Sequence, residues 1–102
     1  MTIPQPLEGV LDAFESEWGR ALGLYLLGRL SDTELVKQAK AATDRSKRDE
    51  QLCEAYYYIG ATRMLEMDTV AVEVFYERVL GTRKSTFIEY TFARTELKRL
   101  QR

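Results

Sequence analysis

Side chains able to do chemistry are few in this sequence, and their spacing narrows them further. The single cysteine, Cys53, can form neither an internal disulfide nor a zinc cluster. Its neighbour Glu54 works against a lowered thiol pKa, so a packed thiol is expected there and not a nucleophile. Histidine is absent, which removes the commonest general base and the commonest metal ligand together. Glu15 and Glu17 stand two apart and diverge on a helix, so they cannot act as an acid–base pair. No glycine-rich phosphate loop, Ser-His-Asp set or metal-ligand spacing occurs. No catalytic residue, metal or cofactor is therefore assigned, and an enzyme is not expected. What remains is the chemistry of surfaces. Tyr56-Tyr57-Tyr58 sweeps about 200° of a helix, so the three rings cannot share one side. Tyr56 is expected in the core, with Tyr57 and Tyr58 lining a groove or touching a neighbouring helix.

The elements that position these residues follow from composition and pattern. The sequence has 102 residues, enough for one domain spanning 1–102. Hydrophobic residues make up 45% of it, which fills a core and argues against disorder. Lys and Arg total 15 against 16 Asp and Glu, a net charge of -1 that provides no long-range field for nucleic acid or an anionic membrane. Neither partner is expected. No apolar run approaches the roughly 18–20 residues of a membrane span, so no membrane insertion is expected either. The start, Met1 to Pro6, lacks the basic and apolar regions of a secretory signal. The chain as it stands reads as cytoplasmic; as a fragment of a longer protein it would read as envelope-associated.

Both prolines lie within the first six residues, so nothing downstream is barred from helix. Leu7, Val10, Leu11, Phe14, Trp18, Ala21, Leu22, Tyr25 and Leu26 make one apolar face at the 3.6-residue period, a long first helix punctuated by Gly28. Ser31-Asp32-Thr33-Glu34 is a capping box opening a short helix with Leu35, Ala39 and Ala42 on one side. The charge-dense stretch 44–50 reads as a solvated connector and helix start. Leu52, Ala55, Tyr56, Ile59, Met64 and Leu65 mark a third helix ending near Glu66-Met67. Asp68 or Thr69 caps a fourth, which carries Val72, Tyr76 and Val79 and takes Gly81 as its C-cap glycine. Thr86-Phe87-Ile88-Glu89 offers a second capping box before a last helix with Phe92, Ala93, Leu97 and Leu100. Strand alternation and hairpin turn dipeptides are missing throughout. An all-α chain of about five helices is expected.

Two of the helices repeat one another. Leu35, Ala39 and Ala42 recur as Val72, Tyr76 and Val79, each 37 residues on. A constant offset of this size is the mark of stacked helical hairpins, whose ideal period is about 34 residues. The stretch 53–80 resembles a tetratricopeptide repeat: Tyr56 stands at the first aromatic position, Ile59-Gly60 at the Leu-Gly pair and Asp68 in the turn. Val72, Tyr76 and Val79 fill the second-helix packing positions. Met67 stands where the family has a turn glycine, and Arg63 where it has a large apolar residue. Over roughly 18–100 the chain looks like the C-terminal part of NlpI-type bacterial tetratricopeptide proteins. The match rests on Trp18, Leu26-Leu27-Gly28-Arg29-Leu30, Cys53 through Gly60, Thr86 through Tyr90 and Ala93-x-x-Glu96-Leu97. It implies a bacterial scaffold built as stacked antiparallel hairpins: a degenerate one at about 6–43, a repeat hairpin at about 46–81 and a solvating C-terminal helix at about 86–101.

The resemblance implies a peptide- or helix-binding concave surface lined by the first helix of each hairpin. Counted from Gly60, its groove positions are Glu54, Tyr57, Ala61, Met64 and Leu65, while Tyr56, Ile59, Gly60, Val72, Tyr76 and Val79 pack the repeat. The groove residues would form an apolar seat for another protein or peptide. Two other fates for this face are the first or last helix of the same chain covering it, and self-association as a homodimer. The carboxylate-clamping variety of groove needs Lys and Asn where this repeat has Tyr57 and Ala61, so that use is not expected.

Overall fold

The computed structural model describes residues 16–101, and five helices account for most of them. They are α1 (Glu17–Leu26), α2 (Asp32–Lys40), α3 (Arg45–Leu65), α4 (Thr69–Gly81) and α5 (Ile88–Leu100). No strand occurs among the described residues, and none of these helices is long and apolar enough to cross a membrane.

Local chemistry sets most of the boundaries. Ser16 has extended backbone, and its hydroxyl accepts from the Gly19 N–H at 2.9 Å. The described helix therefore begins at Glu17, and the single run expected from Pro6 to Leu26 does not pass through Ser16; residues 1–15 of that expectation lie outside the described residues. The Ser31 capping box forms as expected, with Glu34 N–H on Ser31 Oγ at 3.1 Å and Ser31 N–H on Glu34 Oε1 at 3.2 Å. Asp44 and Asp68 cap α3 and α4 by accepting from Lys47 and Ala71. The charged stretch 44–50 is thus a helix cap and its first turns.

Two expected boundaries differ. Phe87 is the N-cap of α5 and supplies no side-chain hydrogen bond, so the Thr86 capping box is not made. The Phe87 ring packs against buried core residues, which puts the helix start one residue late and leaves Glu89 at the second helical position. At the other boundary, Gly81 is the last residue of α4, and Arg83 takes the left-handed backbone at φ 60. The Thr82 hydroxyl donates to the Val79 carbonyl at 2.6 Å, meeting an acceptor that would otherwise be left open.

Helix α3 is the axis of the molecule and packs against each of the other four helices, whereas α2 and α4 do not pack on one another. Two cores lie on its opposite flanks. The first gathers Ala21, Tyr25, Leu35, Ala39, Ala55 and Ile59 from α1, α2 and α3. The second gathers Cys53, Val72, Tyr76, Val79, Ala93 and Leu97 from α3, α4 and α5. The 37-residue offset acquires a physical meaning here: Leu35 and Ala39 do in the first core what Val72 and Tyr76 do in the second. Ala42 departs from the pattern, because α2 ends at Lys40 and Ala42 is half-buried in the turn, where its carbonyl accepts from Arg48 Nε at 3.1 Å. Leu26, expected on the apolar face of α1, is 57% exposed beside the turn that Gly28 closes at φ 77.

Candidate protein-interaction surface

The tyrosines of α3 show how its faces are divided. Tyr57 stacks on Tyr76 of α4, with centroids 5.6 Å apart and planes 8° from parallel, and its other neighbours are Tyr58 at 5.3 Å and Phe92 of α5 at 6.3 Å. Tyr56 leans on Phe75 at 6.4 Å, and the Arg78 guanidinium lies over both rings. Tyr58 faces the Glu89 carboxyl of α5, and burial followed by the nearby carboxylates pushes its phenol up to about 12. Burial likewise raises Tyr57, while Tyr76 is pushed up to about 12. All three phenols stay neutral at any ordinary pH.

The five residues expected to share one groove occupy three different settings. Glu54 is half-buried where α3 meets α1 and α5, near Trp18 and Glu89. Burial, then the repulsion of Glu89, pushes its carboxyl up to about 7, and the Trp18 indole N–H pulls in the opposite direction. Tyr57 is occupied by its contacts with α4 and α5. Ala61 is half-buried, and Met64 and Leu65 are exposed at the far end of the helix, 38% and 87%. The structure thus separates a polar end, Glu54, from an apolar end, Met64 and Leu65.

At the apolar end the turn between α3 and α4 adds Met67, 88% exposed, and Val70, 76% exposed. The sequence singled out Met67 as a departure from the resemblance described above, but gave no signal for the direction of its side chain. Its backbone is left-handed at φ 63, and the Asp68 and Met67 N–H groups return to the Arg63 and Met64 carbonyls, closing the helix. Trp18 of α1 and Phe92 of α5, absent from the expected set, reach α3 at Glu54 and Tyr57.

The packing residues behave differently from the groove set. Ile59, Gly60, Val72, Tyr76 and Val79 are all buried, and Tyr56 is half-buried. A Cβ on Gly60 would fall 2.5 Å from Cε1 and 2.6 Å from Cδ1 of Tyr76, so the bare backbone is what lets α4 lie against α3. Arg63 is placed by charge: it pairs with Asp32 of α2 and with Glu66 one turn on. Asp32 also accepts from the Tyr25 hydroxyl at 2.7 Å, which joins α1, α2 and α3 through one carboxylate. Burial, then that hydrogen bond, pushes the Tyr25 phenol up to about 12.

Cys53 is fully buried, and burial raises its thiol pKa, so the thiolate is disfavoured. No group of three His, Cys, Asp or Glu able to hold a metal occurs among the described residues. No protein-family model and no solved structure matches the chain.

Proposed function

We propose that this protein is a non-catalytic interaction module of tetratricopeptide type, which binds a peptide or a helix of another protein against the α3 face. The observation that carries this reading is the row of large apolar side chains left in solvent around one turn: Met64, Leu65, Met67 and Val70. Isolated exposed apolar residues need no explanation, but a contiguous run next to a packed helical stack marks a contact surface. Met64 and Met67 suit such a role, since unbranched thioethers adapt to a partner's shape. The hairpin packing at Gly60 and the repeated positions in the two cores support the repeat assignment.

Self-association is the second reading, favoured by the same exposed row. Sedimentation velocity of the wild type and of Leu65→Ser/Val70→Ser separates the two. A wild-type monomer whose cross-linked partner is lost in the variant supports the interaction module. A wild-type dimer made monomeric by the variant supports self-association. If partner capture and oligomeric state are both unchanged in the variant, neither reading holds for this face.

A further inference from the structure

A cavity of about 770 Å³ opens where the start of α1, the end of α2 and the first half of α3 meet. Its wall includes the Trp18 indole, and its charged lining consists of Glu17, Asp44, Glu50 and Glu54 against Lys47. None of the four carboxylates joins an ion pair among the described residues, where Asp32, Glu66 and Glu96 take the cations. The indole N–H is buried and completes no hydrogen bond, although its approach to Glu54 favours the charged carboxylate. Asp44 is engaged as the cap of α3, which leaves Glu50 and Glu54 beside the aromatic wall without an ion pair, an arrangement that receives an ammonium or guanidinium through cation–π contact and charge-assisted hydrogen bonds.

We propose that this cavity receives a Lys or Arg side chain of a partner polypeptide, held against the Trp18 indole by Glu50 and Glu54. The proposal rests on the interaction-module reading and names the chemistry of the partner. Charge complementarity selects the occupant: the lining is acidic overall, and the chain's own first fifteen residues carry Glu8, Asp12 and Glu15 but no Lys or Arg. A basic segment docked here leaves the apolar row at Met64 and Leu65 for flanking hydrophobic residues, since Glu54 lies on the same helix.

Trp18 is the chain's only tryptophan, so its fluorescence reports directly on the cavity wall. The test titrates the protein, at pH 8 and low salt, with the capped peptide acetyl-Ala-Lys-Ala-Ala-Arg-Ala-amide and with its analogue carrying Gln for Lys and Arg. The basic peptide is expected to give a saturable change that weakens as salt rises, and the neutral analogue none. Glu50→Gln/Glu54→Gln is expected to weaken binding tenfold or more while circular dichroism still shows a folded helical protein. Lys47→Gln is expected to tighten it by removing the like charge, so the outcome does not depend on a loss alone. Equal responses to the two peptides, no saturable response to the basic one, or unchanged affinity in the glutamine variant each overturns the proposal. Sedimentation under the same conditions covers the remaining occupant: a salt-sensitive dimer abolished by Lys98→Glu would put a second copy's basic helix end in the cavity, which also overturns it. If basic-peptide binding fails while partner capture through Leu65 and Val70 persists, the cavity assignment falls and the module reading stands.

Discussion

Glu54 carries the most pH-sensitive charge in the described part of the molecule, and the sign of its effect follows from its surroundings. Burial and Glu89 raise its carboxyl from an ordinary 4.5 to about 7, so the fold favours the neutral form. The stability this provides is complete below the unfolded value and is lost as pH rises through about 7. Glu89 faces it from α5, Glu50 lies on its own helix, and Trp18 approaches from α1. Glu54→Gln, neutral at every pH, is expected to flatten this part of the profile. It should raise stability at pH 8 by about 1–2 kcal/mol, a figure reduced because the carboxyl is only partly shielded from water. Urea titrations at pH 5 and pH 8 check both points, and a variant losing stability at pH 8 would contradict them. Asp32 works in the opposite sense, as a shared acceptor that ties three helices together. Tyr25→Phe removes one donor while the Arg63 pair stays, so a loss of about 1 kcal/mol is expected in thermal or urea unfolding. Neither site was legible in the sequence. Glu54 was read as a groove residue, but the carboxylate opposing it lies 35 positions away, and no periodicity brings the two together. Arg63 pairs with Glu66 within reach of the local sequence, but its second partner, Asp32, is supplied by a different helix.

Helix types and most helix starts were written in the chain because they depend on neighbours three or four residues apart. Ser31, Asp44 and Asp68 cap through side chains that reach backbone N–H groups within one turn, and those signals survive in the structure. The failures fall where tertiary packing overrode local preference. Phe87 displaced the Thr86 cap because its ring is held by the second core, and α4 ran through Gly81 to a left-handed Arg83. At the element scale, Gly60 of α3 faces the Tyr76 ring of α4. Tyr76 is only 2% exposed and is stacked on Tyr57. Gly60→Leu is therefore expected to lose about 1–3 kcal/mol through overpacking at the crossing of α3 and α4. Gly60→Ala is a sharper test than helix propensity suggests, since the roughly 1 kcal/mol gained from alanine is set against the clash with a fixed ring. Thermal melts of both variants check this; an alanine variant more stable than wild type would show that the ring can move.

The two cores share α3, and Phe75 of α4 also packs against the first, which decides how the whole molecule should respond to damage. Tyr57 and Met64 were grouped by spacing as one surface, yet the structure gives them separate roles that single substitutions can tell apart. Tyr57 is clasped between Tyr76 and Phe92, so Tyr57→Ala is expected to lose about 2–4 kcal/mol of stability. Met64 is 38% exposed, and Met64→Ala should leave stability nearly unchanged while weakening any partner on the apolar row. Because Cys53 belongs to one core while Ala55 and Ile59 belong to the other, α3 cannot keep its packing on one flank after losing it on the other. One helix contributes buried residues to both cores. A single cooperative transition is therefore expected. Trp18 packs against the first core, so its fluorescence follows α1 and α2. The stacked Tyr57–Tyr76 pair beside the second core is expected to contribute to the near-ultraviolet dichroism in the tyrosine region. In urea the two signals should change together, in the wild type and in Tyr57→Ala. If the tyrosine signal were lost first in that variant while Trp18 stayed native, α4 and α5 would form a separate unit, and α3 would not be the common support inferred from its two buried flanks.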